Sequence, residues 1–572
     1  LDDTEIGYLS NGFSSITLGS ASGTGNIAIN FATVPTFADN LTIQSSSGTI
    51  TATDAIDTAT NTLTISSGAA VSLAGITSGT LAITGTGITL NNNITTTGAQ
   101  TYTGAVTLGD AITLTSNNNA VSFSGSGSTI NGAKAFTVNA GSGAISFGGV
   151  VGGSSVLASI DLTTTHATGI TLSGNITTTG AQAYNGNVVL ANNTTLATTN
   201  SDVGFGGTLN GNAAGKTLTI TAGTGAVTFT GAAGGTYALG ATAITAATTT
   251  NSSTWVGNST LGITGNAVVS GAISGITTLS VSGTSGIAAN ITSSSNQAYT
   301  GAVTITGSAV TLNAGSTGTV LFSSTVDSTA LAVNPLTVTS TSGNITFTGA
   351  VGGATNGALG ALAVNTSGTT TFSAAVTAAS VTTNAGGTTA INGGTITTTG
   401  AQTYNDAVTL GAATTLTSSS SGAINLASTV NGAQTLAINT AGTTTFGGIV
   451  GGSTNLTSIT TDAAGTVVIN TSAITTSGAQ TYNEAITVSA ATTLSASSIT
   501  TGSTMAASSN QAITLTTDAI ALGGAISSSG ALVIQPKTAG TTIAIGSDAT
   551  GTLKLDDTEI GYLSNGFSSI TL

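Results

Sequence analysis

Apolar residues in this chain come in pairs separated by one small polar residue. Val106 and Leu108, Ile112 and Leu114, Val121 and Phe123, Phe136 and Val138, and Ile145 and Phe147 all follow this rule. A period of two describes a strand with one face inward and the other lined by Thr and Ser. The pulses return about every 8–12 residues, the spacing of short strands joined by turns. Gly and Asn clusters such as Asn117-Asn118-Asn119 fall between them and suit turns that need positive φ. The pattern therefore predicts Val106, Leu108, Ile112, Leu114, Val121, Phe123, Ile145 and Phe147 inward and the intervening Thr and Ser outward.

The strands belong to longer repeats. ITTTGAQTYTGAVTLGDAITLTS starts at Ile94 and returns as ITTTGAQAYNGNVVLANNTTLAT at Ile176 and ITTTGAQTYNDAVTLGAATTLTS at Ile396, with looser copies at Ile291 and Ile474. Their glutamines are Gln100, Gln182, Gln297, Gln402 and Gln480. A second family ends in a double glycine: AISFGGVVGG (144–153), AVTFTGAAGG (226–235), NITFTGAVGG (344–353) and TTTFGGIVGG (443–452). The two families alternate. At a larger scale, LDDTEIGYLSNGFSSITL occupies residues 1–18 and recurs without a change at 555–572. The simplest reading is a period of 554 residues: 1–554 is one full period and 555–572 begins the next, so that the parent is a tandem array.

Many short strands fit either sandwich domains or a solenoid. Sandwiches need wide cores and distinct boundaries, whereas this chain has one Trp (Trp255), 13 Phe, small inward residues and no internal boundary. A solenoid pairs each coil's backbone N–H and C=O groups with the next coil and tolerates low complexity. The expected fold is all-β, a β-solenoid forming a single continuous rod.

Composition sharpens this. Charged residues make up 4% of the chain, against roughly 25% in an ordinary globular protein. Hydrophobic residues reach 39%, too many for a disordered chain. Gly, Thr and Ser interrupt every stretch of Ala, which disfavours helix. The formal net charge of −14 argues against nucleic acid as a partner, because phosphate binding needs a basic surface. No run approaches the roughly 18 apolar residues of a membrane helix. The absence of cysteine excludes disulfides and thiolate metal sites. Leu1 opens the chain without Met or a signal peptide, as in an excerpt or a mature product.

The units ITTTGAQTYNDAVTLGAATTLTS and NGAQTLAINTAGTTTFGGIVGG resemble the repeats of giant bacterial surface exoproteins of the filamentous haemagglutinin type. The resemblance runs over nearly the whole chain. It implies a right-handed parallel β-helix, secretion across a bacterial envelope, and a role in adhesion or surface filaments. It also implies coils of roughly 20–27 residues, which at about 4.8 Å per coil gives a rod on the order of 100–130 Å per period.

Candidate chemistry is sparse. His166, the only histidine, sits among threonines and is read as a turn or surface residue. With no Cys, no Arg and one His, most nucleophile–base pairs and metal clusters are missing. The acids are mostly scattered singly, from Asp39, Asp110 and Asp161 to Glu484 and Asp518. Asp54 and Asp57 are close in sequence, but their odd separation puts them on opposite faces of a strand. The one dense cluster is Asp2, Asp3 and Glu5, repeated as Asp556, Asp557 and Glu559. Alternation would put Asp3 and Glu5 on one face. Calcium needs six to eight oxygens, some of which these carboxylates could supply, but the Gly-Gly-x-Gly-x-Asp calcium repeat is absent; a solvated, charge-marked coil is the preferred reading, with Lys554 available to pair with Asp556. N-x-Ser/Thr sequons at Asn93, Asn175, Asn251, Asn258, Asn290 and Asn344 follow from composition. Thr217-Leu218-Thr219 raises ice binding, but the Thr positions shift between units.

The expectation is a non-enzymatic structural segment of an extracellular fibre or stalk on a bacterial cell. It has no catalytic, cofactor-binding or metal-binding residues and no cofactor. Its partners are copies of itself, in tandem or end to end and with lateral association open, together with cell-surface glycans; no membrane insertion is expected. The alternative is an adhesin module that binds a carbohydrate or a cell surface, and ice binding stands third.

Overall fold

A computed structural model describes residues 5–6, 8–9, 11–355 and 357–572. It is a nearly all-β chain of stacked parallel coils, a β-solenoid of about 25 turns. The chain divides into two compact units, Leu1–Gly283 and Thr284–Leu572.

In the first unit each turn has three sides, and every side stacks in register on its equivalent in the next turn. One side runs Ile16, Leu41, Leu63, Leu81, Gln100, Val121, Ile145 and Ile170, each paired in parallel with the next. A second runs Ile50, Val71, Ile88, Val106 and Ile130. A third runs Ile76, Ile94, Leu114, Val138, Leu162 and Tyr184. The second unit stacks in the same way, for example Gln297, Val320, Ile345, Thr370, Thr389 and Val408. Paired residues are mostly 17 to 26 positions apart, as at Val71↔Ile88 and Leu336↔Leu362. The shortest turns are tighter than the coil length the resemblance implies, because corners of one or two small residues suffice.

The period-two reading holds. Val106, Ile112, Leu114, Val121 and Ile145 are completely buried, and Leu108, Phe123 and Phe147 are at most 3% exposed. Thr113, Ser122 and Ser146 lie half-buried on the outer face and Thr107 is exposed.

Each repeat family has a structural cause. Phe147, Phe229 and Phe347 of the double-glycine family stack two turns beyond a tyrosine of the glutamine family. Tyr102, Phe123 and Phe147 form one ladder, with ring centroids 4.9 and 5.3 Å apart. Tyr184, Phe205 and Phe229 form another at 5.1 and 5.0 Å, and Tyr299, Phe322 and Phe347 a third at 5.3 and 4.9 Å. The families alternate in sequence because they are layers of one stack. Offset aromatic pairs add to area burial alone. The double glycine closes a corner: Gly152, Gly234, Gly352 and Gly451 all have φ between +66° and +72°. A Cβ at Gly152 would collide with the Thr177 carbonyl of the next turn, so both conformation and space require glycine there.

The last turn departs from the pattern. Leu532 pairs with Ile570, 38 residues on. Between them the chain leaves the stack after Pro536 and forms a separate parallel pair, Ile543–Ile545 with Leu553–Leu555. Asp518 anchors the exit by accepting from the backbone N–H of Lys537 (3.0 Å) and Thr538 (2.7 Å).

Candidate functional site

The sites built most carefully in this chain are buried corners. In ITTTGAQTY, the strand Ile94–Thr96 turns at Thr97-Gly98-Ala99 into the strand Gln100–Leu108. Gln100 and Tyr102 share the inward parity and are fully buried. Gln100 Nε2 donates to Thr96 Oγ1 (3.1 Å) and to the Thr115 carbonyl one turn on (2.9 Å). Its Oε1 accepts from the Tyr102 hydroxyl at 2.8 Å. The Thr96 hydroxyl closes the loop by donating to the Gly98 carbonyl at 2.6 Å.

The network recurs at all five glutamines. Gln182, Gln297, Gln402 and Gln480 donate to Thr178, Ser293, Thr398 and Thr476. They also donate to the carbonyls of Ala197, Asn313, Thr417 and Ser495 at 2.8–3.0 Å. The hydroxyls of Tyr184, Tyr299, Tyr404 and Tyr482 return the bond to the glutamine Oε1 at 2.9–3.1 Å. Burial raises the pKa of all five phenols, so they remain neutral donors. Because buried amides and hydroxyls must be paired, one corner fixes both the turn and its contact with the next coil. The corner also works on different sides of the coil. Gln100 stacks between Leu81 and Val121, whereas Gln182 stacks between Ile160 and Val203 on another side. The sequence marked these glutamines as repeat landmarks without a role. The readable signal was the period of two, which places Gln inward whenever the Tyr two residues later is inward.

Two corners carry an addition. Two residues after the tyrosine stand Gly104, Gly186 and Gly301 in three units, but Asp406 and Glu484 in the other two. The fold is satisfied with glycine there, so the buried carboxyls are additions that it does not require. Asp406, 1% exposed, accepts from Gly387 N–H (2.9 Å) and the Thr389 hydroxyl (3.2 Å). Burial raises its pKa, and those bonds oppose the shift. Glu484 is 2% exposed, and neither of its oxygens makes a hydrogen bond of normal geometry. Val467 stands where the other corner has Thr389. Burial, then the charge and proximity of Asp462, push Glu484 up to about 8 from 4.5, with Thr461 opposing. The native state thus holds a proton that the unfolded chain releases between those values. The stabilisation from the neutral acid is complete below pH 4.5 and is lost as pH rises toward 8. The thermal stability of the native chain should therefore fall between pH 5 and 8 more steeply than that of Glu484→Gln. Parallel melting curves for the two would contradict this assignment.

The other sequence candidates have structural duties. His166 is half-buried in a turn, its Nδ1 2.8 Å from Thr168 Oγ1. Asp54 accepts from Phe31 N–H (3.0 Å), and Asp57 from Ala59 N–H and the Thr36 hydroxyl (both 2.8 Å). Asn93, Asn175, Asn290 and Asn344, read as sequons, accept backbone N–H groups from Thr113, Thr195, Thr311 and Thr369 of the next turn. This inter-coil clamp explains asparagine at the corners.

The acidic cluster does not form the expected strand in the second copy. Residues Asp557–Gly561 form a short helix, not a strand. Asp556 caps it by accepting from Thr558 and Glu559 N–H, both at 2.9 Å, and Glu559 accepts from Asp556 N–H at 3.0 Å. The D-x-x-E spacing is a capping box, a signal that outweighs strand alternation. Lys554 donates to the Ser547 carbonyl at 2.7 Å, not to Asp556. Asp2 and Asp3 lie outside the described residues. Among the described residues no three His, Cys, Asp or Glu side chains come together as a metal site. One open recess of about 530 Å³ is floored by Thr, Ser, Gly and Ala of residues 84–86, 103–105 and 124–128, with no titratable group.

No family model, curated protein or solved structure matches this chain.

Proposed function

We propose that this chain is a structural segment of a secreted bacterial fibre or stalk of the filamentous haemagglutinin type, without enzymatic activity. The supporting observation is where the conspicuous polar groups go. The corner asparagines, the buried glutamines and Asp518 are committed to holding turn upon turn, which is the chemistry of a scaffold. In this reading length and durability are the function, and the surroundings are extracellular, on a bacterial cell. Immunogold electron microscopy with antibodies to residues 1–572 tests it: label along surface filaments is expected, and label confined to the cell interior would overturn it.

The adhesin alternative has one local observation in its favour. The excursion after Pro536 breaks the stack and exposes Ile543 (39%) and Ile545 (54%), the irregular kind of surface on which a binding function would sit. Removing residues 539–551 should leave assembly intact. Loss of cell attachment in that variant would establish the adhesin role.

A further inference from the structure

The two copies of LDDTEIGYLSNGFSSITL provide an internal comparison. Glu5 and Ile6 are helical, as are Glu559 and Ile560. The backbone leaves the helical turn by the same bonds. Tyr8 N–H donates to the Glu5 carbonyl (3.2 Å) and Leu9 N–H to that of Ile6 (2.9 Å); Tyr562 donates to Glu559 and Leu563 to Ile560, both at 3.1 Å. Both copies then enter strands, Ile16–Ser20 and Ser569–Thr571.

What differs is the neighbour. Ile16 pairs forward, with Leu41. Ile570, its counterpart, pairs backward, with Leu532. The backward contact of the second copy continues along the segment: Leu563 bridges Ile526, and Glu559 Oε1 accepts from Leu522 N–H at 2.9 Å. On that support Tyr562 and Phe567 are half-buried. The equivalent Tyr8 and Phe13 are 77% and 54% exposed. The first coil also holds a cavity of about 210 Å³, lined by Ile6, Leu18, Ile27, Ile29, Asn30 and Phe31.

We infer that residues 1–18 and 555–572 are one joint coil seen from its two sides, and that the face bearing Tyr8 and Phe13 receives residues 522–535 of another period of this same sequence. A strand in a parallel stack has two bonding edges. The first copy is bonded forward and the second backward, so a single copy between two periods has both edges filled. The register follows from the second copy: Leu532 opposite Ile16, Ile526 opposite Leu9, and Leu522 N–H donating to Glu5. The core continues across the joint, because Leu532, Ile16 and Leu41 share one inward row. A capping coil presents a polar outer face; this one presents the exposed rings of Tyr8 and Phe13. The inference deepens the structural reading above by naming the partner, a further period of the chain itself.

The test is a chain of residues 1–554 followed by residues 1–572, which contains the segment at its start, middle and end. Tyr8→Phe in the middle copy distinguishes its peptides by mass. In hydrogen exchange the middle copy's strand amides should exchange about tenfold or more slowly than those of the first copy. Ile16→Asp in the middle copy should abolish that protection, and Thr17→Asp should retain it. Equal exchange in the first and middle copies would overturn the joint. It would leave the structural reading standing as long as the other coils of both periods remain protected. Loss of protection throughout both periods would instead defeat the solenoid account itself.

Discussion

Aspartate at Leu114 is expected to unfold a stretch of coils, while aspartate at the adjacent Thr113 is tolerated. Leu114 is fully buried and stacked between Ile94 and Val138. The substitution removes a packed side chain and introduces a carboxylate among apolar neighbours, which costs about 4 kcal/mol or more. Solenoid stability is close to a sum of coil terms and nearest-neighbour terms, so the damage should spread to the adjoining coils. Thr113 faces outward beside Thr137, and a charge there should cost within about 1 kcal/mol. Hydrogen exchange reads both outcomes. Protection should be lost at Ile94–Thr96 and Ala135–Asn139 for the first variant and kept for the second. Equal tolerance at both positions would refute the inward–outward register.

The second large effect is expected at the glutamine corners. Gln402→Leu keeps the volume but removes the acceptor of the Tyr404 hydroxyl and the donor to the Thr417 carbonyl. Leaving buried polar groups unpaired should cost about 2–4 kcal/mol in the local coils. Tyr404→Phe in the same chain removes the orphaned hydroxyl, so the double variant should lose less than the sum of the singles, by about 1 kcal/mol. Strict additivity in chemical denaturation would show that the two side chains do not act as a unit. The same cycle at Gln182 and Tyr184 should give a similar coupling, because the corner keeps its geometry on another side of the coil.

These corners mark the boundary of what could be read in advance. Strand parity was legible because burial alternates with position along most strands, so Leu114 and Thr113 could be told apart from sequence. Coil closure was not: turns of 17 and 26 residues look alike when Gly, Asn and Thr fill every corner. The role of Gln100 was hidden by composition, since one more polar residue among threonines draws no notice unless its parity with Tyr102 is used. Glu484 was counted among scattered acids for the same reason. Its raised pKa depends on burial and on Asp462 in the turn before, a long-range relation that no local pattern carries. The excursion after Pro536 could have been suspected from the lapse of alternation and the arrival of Lys537 and Asp548. The helical turn at Asp556 could have been suspected from its capping spacing.

We propose that one period is an extensible scaffold whose coils continue into the next. Electron microscopy of chains built from one, two and three periods tests it most directly. The account predicts filaments that lengthen by a constant step, on the order of 100–130 Å per added period, without a break at the repeated segment. Particles that stay globular, or strings of separate bodies hinged at residues 555–572, would contradict it.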